Sequence, residues 1–282
     1  MKKVILPIVL LIFIFFSGVK VFSQPFKVMT YNIRLALASD KENRWENRKA
    51  SMAELIKHYQ PEIFGIQEGL YRQVHYLDSS LTSYHYTGVG RDDGRTKGEY
   101  SAIFYDTTKF KLLDHGTFWL SEHPEKVSMG WDAAYIRICS WGLFEDIQNG
   151  KKFRMFNTHF DNEGVVARKE AARLILDRID SLNQDHLPVI MTGDLNSEPD
   201  SESVKILKSK LTDAKSISLQ APYGPTGTFT GFNPEKVIDN RIDYIFVNGF
   251  NVLSYTHIDD RRKDNYFVSD HLPVMAGLGF VR

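Results

Sequence analysis

The sequence has a single cysteine and no excess of basic residues, so it offers neither disulfide bonds nor a strongly positive surface. Only Cys139 is a cysteine, so no intrachain disulfide can form and the core must stabilise the fold. Acidic and basic residues balance to a formal net charge of zero, and there is no long run of lysine or arginine. Because strong non-specific nucleic-acid binding normally needs a basic surface, only a local basic patch could support it here.

Internal repeats, low-complexity segments and Pro/Ser-rich linkers are also absent from the sequence. About 259 residues follow the N-terminal segment, enough for one large domain or two ordinary ones. Because the sequence offers no linker at which to divide it, we predict one domain over residues 24–282.

The first 23 residues have the pattern of an export signal. A basic start precedes the apolar run Val4–Val19, and Ser23 lies at the expected cleavage position. The alternative is a retained membrane anchor, but the run is shorter than the roughly 20 residues that a span needs. No cysteine follows the run, which excludes a lipoprotein anchor. We therefore expect an exported chain, periplasmic or extracellular, cleaved after Ser23, with no stable membrane anchor and a formal charge of −3.

A buried strand with polar residues at its end is the strongest local signal. The apolar run Val189–Met191 leads to Gly193, after which Asp194 and Asn196 lie two residues apart. In an extended segment such residues point to the same side, so a carboxylate and an amide converge where open α/β sheets bind ligands. A carboxylate can deprotonate water and an amide can hold an oxyanion. The same letters also occur in ordinary turns.

Similar strands and amphipathic helices recur along the chain. Glu68 follows the apolar strand Glu62–Ile66, where an unpaired charge would be costly. Apolar residues at helical spacing predict four helices, and short apolar runs predict the strands between them. The predicted helices are Glu42–Tyr59, Tyr71–Leu81, Val166–Leu182 and Ser203–Leu211; further strands are predicted at Phe26–Arg34, Glu99–Tyr105, Phe110–Leu113, Thr117–Leu120, Tyr135–Phe144, Arg241–Val247 and Val274–Val281.

Nine polar residues lie at or within predicted strand ends: Asn32, Glu68, Glu99, His159, Asp194, Asn196, Asp243, Asp270 and His271. Any one of them could be an ordinary structural residue, but all nine occupy the same kind of position. The set is rich in oxygen ligands and contains no cysteine. This chemistry favours Mg²⁺, Mn²⁺ or Ca²⁺ over a structural zinc ion.

Taken in order, these motifs closely resemble the endonuclease/exonuclease/phosphatase superfamily, which includes DNase I. The matching segments are Met29–Asn32, Gln67-Glu68, Asn157–His159, Gly193–Asn196, Arg241–Asp243 and Ser269–His271. The resemblance implies an α/β (α+β) four-layer sandwich, in which two mixed β-sheets pack face to face and helices flank them.

The resemblance also implies roles for the residues. Asn32, Glu68 and Asp270 would hold Mg²⁺ or Mn²⁺, and Asp194 and Asn196 would orient or deprotonate the attacking water. Pairs of Asp243 with His271 and of Glu99 with His159 would raise the pKa of each imidazole and keep it a donor. In the exported bacterial branch, which the chain also resembles, substrate contacts would come from Arg72, Trp131 and Arg137, although a loop tryptophan such as Trp131 more often caps a core edge.

The function that follows is an exported, divalent-metal-dependent hydrolase of phosphoester bonds. We expect a monomeric phosphodiesterase that acts by metal-assisted water attack. The acidic mature chain favours a small or lipid-derived phosphodiester as substrate. A secreted nuclease acting on DNA or RNA is the alternative, and a catalytically inactive binding protein on the same fold is a further one.

Overall fold

The computed structural model describes residues 24–281, so the signal peptide expected at residues 1–23 lies outside the described residues. Two short antiparallel strands, β3 (Gly69–Leu70) and β5 (Glu99–Tyr100), pair with each other beside two large sheets. Short 3-10 helices cover Ala38–Asn43 and Ala214–Ile217. Among residues 24–281, no helix is both long and apolar enough to cross a membrane.

The first large sheet has its N-terminal strand at the centre. Its order is β13-β14-β1-β2-β6-β4, and β1 runs parallel to β2 and antiparallel to β14. All residues of β1 except Lys27 are buried, as expected for a strand covered on both faces. The strands are β1 (Phe26–Asn32), β2 (Ile63–Gln67), β4 (Tyr84–Thr87), β6 (Ile103–Asp106), β13 (Phe250–His257) and β14 (Val274–Phe280).

The second sheet repeats this mixed arrangement in the order β11-β12-β10-β9-β8-β7. Parallel strands β9 and β10 lie side by side, joined by a crossover through helix α3 (Val165–Leu182). Every residue of β10 is buried. The strands are β7 (Phe110–Trp119), β8 (Ile138–Asp146), β9 (Lys152–His159), β10 (Val189–Asp194), β11 (Thr212–Asp213) and β12 (Asp243–Asn248).

Three apolar clusters separate four layers. The cluster between the sheets contains Val28 of β1 and Ile190 of β10. On the outer face of the first sheet, α1 (Trp45–Tyr59) and α2 (Tyr71–Ser80) cover residues such as Phe64. On the second sheet, α3 and α4 (Glu202–Lys208) cover the opposite outer face. The predicted four-layer sandwich is therefore confirmed.

A polar contact crosses the apolar interface between the sheets. Oδ1 of Asn157 accepts from Gln67 Nε2 at 2.7 Å and from Thr192 Oγ1 at 2.9 Å, and its Nδ2 donates to the carbonyl of Ile66 at 2.8 Å. Gly65 lets the sheets approach here, because a Cβ at this position would lie 2.3 Å from Asn157 Oδ1. A buried amide of this kind fixes the relative position of the two sheets.

The structure departs from the predicted elements in several places. The strand predicted at 99–105 is split into β5 and β6, and the two strands predicted at 110–120 form one strand, β7, with a register shift after Leu112. The first helix begins at Trp45 rather than Glu42, because Arg44 has an extended backbone (φ −58°, ψ 152°). The edge strand β13 was not predicted, since polar residues alternate irregularly with apolar ones around its bulge at Val252.

Candidate active site

The strand ends of both sheets open onto one cavity of about 670 Å³. β1 and β2 deliver Asn32 and Glu68 from the first sheet, and β9 and β10 deliver His159 and Asp194 from the second. Because these are parallel pairs, their carboxyl ends share an edge. β12 runs the other way and begins with Asp243 at the same edge, directly opposite Asp194.

Oδ2 of Asp194 lies at the centre of the polar cluster. It accepts a hydrogen bond from Asn32 Nδ2 at 2.9 Å and lies 3.5 Å from Nε2 of His159 and 3.7 Å from Nε2 of His271. Its Oδ1 accepts from the backbone N–H of Asn196 at 2.9 Å. Burial, followed by the charge of Asp243, raises the pKa of Asp194, which makes this carboxylate more basic than an exposed one.

His271 is paired with a buried carboxylate. Its Nδ1 lies 2.9 Å from Oδ2 of Asp243, and the ring of Phe229 contacts it edge-on with centroids 5.0 Å apart. Burial opposes the charged imidazole, but Asp243 and Asp194 outweigh it, and the pKa of His271 lies well above its usual value. The structure thus forms the pair that the sequence implied and directs Nε2 of His271 towards Asp194.

His159 has different surroundings from those expected. Its Nδ1 lies 3.9 Å from Oε2 of Glu99, beyond hydrogen-bond distance, while Arg91 Nη1 donates to that same oxygen at 2.8 Å. Burial, together with the positive charges of Arg137 and Arg91, lowers the pKa of His159 well below its usual value. The expectation that the carboxylate of Glu99 would raise this pKa is therefore wrong, because burial and the two positive charges lower it and Glu99 is paired with Arg91. Nε2 of the neutral ring lies 3.1 Å from Asn196 Nδ2.

Glu68 and Asp270 form the acidic side of the cavity. Glu68 has a left-handed backbone (φ 63°) and accepts from Asn32 Nδ2 and from the N–H of Leu35, each at 3.0 Å. Nη1 of Arg34 lies 3.5 Å from Asp270 Oδ2 and 4.0 Å from Glu68 Oε2. Burial raises the pKa of Asp270, which means that the surrounding charges do not fully compensate its carboxylate.

These carboxylates match the needs of a divalent cation. One ligand atom from each of Glu68, Asp194 and His271 lies within 4.8 Å of the other two. A protonated imidazole cannot ligate a metal, and the raised pKa of His271 makes it a donor, so Glu68 and Asp270 are the stronger candidates. Hard oxygen ligands and uncompensated negative charge suit Mg²⁺ or Mn²⁺. Asn32 links Glu68 with Asp194 through its amide nitrogen.

A buried arginine holds the two loops that carry the acidic side. Arg48, on the buried face of α1, donates to the carbonyls of Ile33 at 2.9 Å, Arg34 at 3.0 Å and Val268 at 3.0 Å. It thereby connects the end of β1 to the segment before Asp270. Arg48 was not predicted from the sequence, although a charged residue three positions after Trp45, on an apolar helix face, is a signal for such a contact.

Most of the residues predicted from the sequence lie at this cavity, but Arg72 and Trp131 do not. Asn32 and Asp243 lie behind the lining residues, where they contact Glu68 and His271. Arg72 lies outside the cavity, where it donates to the carbonyl of Ala36 at 3.0 Å, and Trp131 packs against the core beneath α3. The proposed substrate contacts of Arg72 and Trp131 are therefore not supported. The predicted residues that line the cavity are Glu68, Glu99, Arg137, His159, Asp194, Asn196, Asp270 and His271.

Several lining residues were not predicted from the sequence. Arg34, Arg91, Tyr135 and Phe229 face the same cavity from loops. Arg34 could have been found from its place two residues after Asn32, beyond the end of β1. The other three carry no periodic signal, because loop residues are placed by tertiary contacts rather than by hydrophobic spacing.

Comparisons with known proteins agree with this geometry. A family model described as the endonuclease/exonuclease/phosphatase family matches residues 29–271. A family member from Bacteroides thetaiotaomicron has a solved structure that is 39% identical, with a TM-score of 0.88, covering 92% of this chain and 100% of that one. The mannosyl-6-phosphatase of the same organism is also 39% identical, with a TM-score of 0.87, over 90% of this chain and 100% of that one.

More distant relatives extend the match to animal proteins. Mouse nocturnin is 24% identical over 91% of this chain and 66% of its own length. The human nocturnin catalytic domain shares the fold, with a TM-score of 0.73 and 24% identity over 92% of this chain and 94% of that one. On the match over residues 29–271 and the bacterial structures, the chain belongs to the endonuclease/exonuclease/phosphatase family.

Proposed function

We propose that this protein is a divalent-metal-dependent hydrolase of small phosphomonoesters. The observation that carries the proposal is the position of Asp194 Oδ2, which lies 3.5 and 3.7 Å from the two imidazoles in a cavity that Glu68 and Asp270 also line. A general base, two imidazoles and an acidic metal site next to one another are the groups that water attack on phosphorus needs.

The side chains divide the chemistry between them. Asp194, with its raised pKa, accepts the proton of the attacking water. Protonated His271, held by Asp243, donates from Nε2 to a phosphoryl oxygen as negative charge develops there. Asn196 holds the phosphate beside the neutral ring of His159. A bound Mg²⁺ or Mn²⁺ would supply Lewis-acid polarisation of the phosphoryl group.

The choice of a monoester revises the diester favoured by the sequence. A relative with 39% identity over 90% of this chain is described as a mannosyl-6-phosphatase, which acts on a monoester. Nuclease activity remains the alternative within the family, whose name covers both classes. Loss of catalysis is disfavoured because the catalytic and metal-site residues named in the motifs are present and in contact with one another around the cavity.

Location and assembly are part of the same proposal. The apolar run at residues 4–19 supports export and cleavage after Ser23. The described residues of one chain supply the carboxylates and imidazoles that the proposed chemistry needs, so a monomer is the assembly that we propose. Mass spectrometry of the mature protein and light scattering would test these two points. A mature protein that still begins at Met1 would contradict cleavage, and a dimer at micromolar concentration would contradict the monomer.

Activity assays with a matched panel of substrates test the proposal directly. The panel contains a hexose 6-phosphate, phenyl phosphate, a bis-aryl phosphodiester, DNA and RNA, each with Mg²⁺, Mn²⁺ or EDTA. We expect the highest kcat/KM on a phosphomonoester, and we expect no hydrolysis of any substrate in EDTA. Faster hydrolysis of the diester or of a nucleic acid would overturn the monoester assignment. Full activity in EDTA would refute the proposed dependence on a divalent metal.

A further inference from the structure

One wall of the cavity is made of residues that the proposed chemistry does not use. We call Arg91, Glu99, Tyr135, Arg137 and Asn162 the arginine wall; all five line the cavity. They come from the loop before β5, from β5 itself, from the segment before β8 and from the loop after β9. The wall adjoins His159, next to the place proposed for the phosphate.

The charges of the arginine wall are balanced. Arg91 Nη1 donates to Glu99 Oε2 at 2.8 Å, and Arg137 Nε donates to Asp161 Oδ2 at 3.3 Å. Two guanidinium groups are thus opposed by two carboxylates. A second phosphate, or the next phosphates of a nucleic acid, would need cations without such partners. The wall is therefore unsuited to a second anion.

The wall nevertheless offers both hydrogen-bond donors and acceptors. A guanidinium has five N–H groups, and Arg91 and Arg137 line the cavity beside the carboxylate of Glu99. Arg137 Nη2 donates to Asn162 Oδ1 at 2.9 Å. Donors and a carboxylate side by side match hydroxyl groups, because each hydroxyl both donates and accepts.

Tyr135 adds an apolar surface between the two arginines. Each guanidinium carbon lies 5.6 Å from the centroid of its ring, and 48% of Tyr135 is exposed. These contacts hold the ring at the cavity. An aromatic ring next to paired donors and acceptors suits a saturated ring that carries hydroxyl groups.

We propose that the arginine wall binds the alcohol part of the substrate as a neutral polyhydroxyl group, so that the substrate is a sugar monophosphate. This inference rests on the proposed function for the phosphate end of the cavity. Within it, Arg91 is the residue that sets specificity, because it lines the cavity and also orients Glu99.

The experiment compares two substrates with the same phosphate and different alcohols. KM and kcat are measured with Mg²⁺ for a hexose 6-phosphate and for phenyl phosphate, in the unchanged protein, in Arg91→Met and in Arg95→Met. Arg95 lies exposed in the same loop and is the matched control. Arg91→Met should raise KM for the hexose phosphate roughly 10- to 100-fold, the cost of a charged hydrogen bond. KM for phenyl phosphate should rise by a smaller factor, and Arg95→Met should change neither.

Several outcomes would overturn the inference. An equal rise in KM for both substrates would show that Arg91 does not contact the sugar. Tighter binding of a hexose bisphosphate than of the monophosphate would show that the wall binds anions. If Arg91→Met unfolds at the assay temperature, Arg91→Lys replaces it in the same measurements, because lysine keeps the charge but lacks the planar guanidinium.

Failure of the proposed function would look different. In that case no phosphoester is hydrolysed with either metal, and calorimetric titration of hexose 6-phosphate into the Mg²⁺-loaded chain still measures the wall. Binding that Arg91→Met weakens would support the inference without catalysis. No binding, or binding that Arg91→Met leaves unchanged, would refute it.

Discussion

Nδ1 of His271 lies 2.9 Å from Oδ2 of Asp243, and both side chains are buried. The contact fixes the orientation of the imidazole, so that its other nitrogen faces Asp194 at 3.7 Å. Neither member of the pair could stay charged at this depth without the other. The two residues are therefore expected to act as one unit in catalysis.

A double-mutant cycle tests this unit. Asp243→Asn and His271→Ala should each lower kcat roughly 100-fold, in the range of positioned acid–base groups. The double variant should lose little more, because residues that act together are non-additive. The measurement is turnover of a phosphomonoester, with Asp239→Asn, an exposed carboxylate, as control. Strictly additive losses would mean that the two residues act separately.

The metal site is tested by binding as well as by activity. Glu68→Gln should abolish turnover mainly through loss of metal, since Glu68 supplies a carboxylate oxygen at the acidic side of the cavity. Titration of Mn²⁺ by calorimetry should show a weakened site, while circular dichroism shows an unchanged fold. Glu125→Gln, at an exposed position, is the control. Unchanged metal affinity in Glu68→Gln would remove Glu68 from the ligands.

The close approach of the sheets at Gly65 makes a stability prediction. The Cβ of Gly65→Ala would lie 2.3 Å from Asn157 Oδ1 and 2.5 Å from Thr192 Oγ1. Such overpacking costs roughly 1–3 kcal/mol, and at about 2–4 °C per kcal/mol the Tm should fall measurably. Gly279 in β14 is the matched control, because nothing lies within 4 Å of a Cβ there. Equal Tm values for the two alanine variants would contradict the packing.

His257 makes a prediction about pH. Burial, helped by the charge of Lys215, lowers its pKa to about 4. The unfolded chain therefore takes up this proton first, at its ordinary pKa of about 6.5, and the free energy of unfolding falls as the pH drops from there towards 4. NMR titration of the His257 ring should give a midpoint near 4 in the folded protein. A midpoint near 6.5 would show that the ring is accessible to water.

The stability readout compares the unchanged protein with His257→Gln. Their difference in unfolding free energy should change by roughly 3 kcal/mol across this window, the equivalent of the pKa shift. Carboxylates that titrate in the same range affect both proteins alike. A constant difference between pH 7 and pH 4 would exclude His257 as the cause.

The residues at the ends of buried strands were predictable from the sequence, and those on loops were not. Asn32, Glu68 and Asp194 follow apolar runs, and a run that ends in a polar residue marks a strand end. The competition of Arg91 for Glu99 was not predictable, because the contact depends on how the loop before β5 folds back. The pKa of His159 was expected to shift in the wrong direction, because neither the burial of the ring nor the two nearby arginines could be read from the sequence.

The position of β1 has a consequence for the order of synthesis. β1 lies between β2 and β14, and Arg48 joins the end of β1 to Val268. While the chain is still being made, β1 has only one neighbour and Arg48 lacks one of its carbonyl partners. The first sheet is completed only when β14 leaves the ribosome, so a chain truncated before Val274 has all its motifs while β1 still lacks one of its two neighbours.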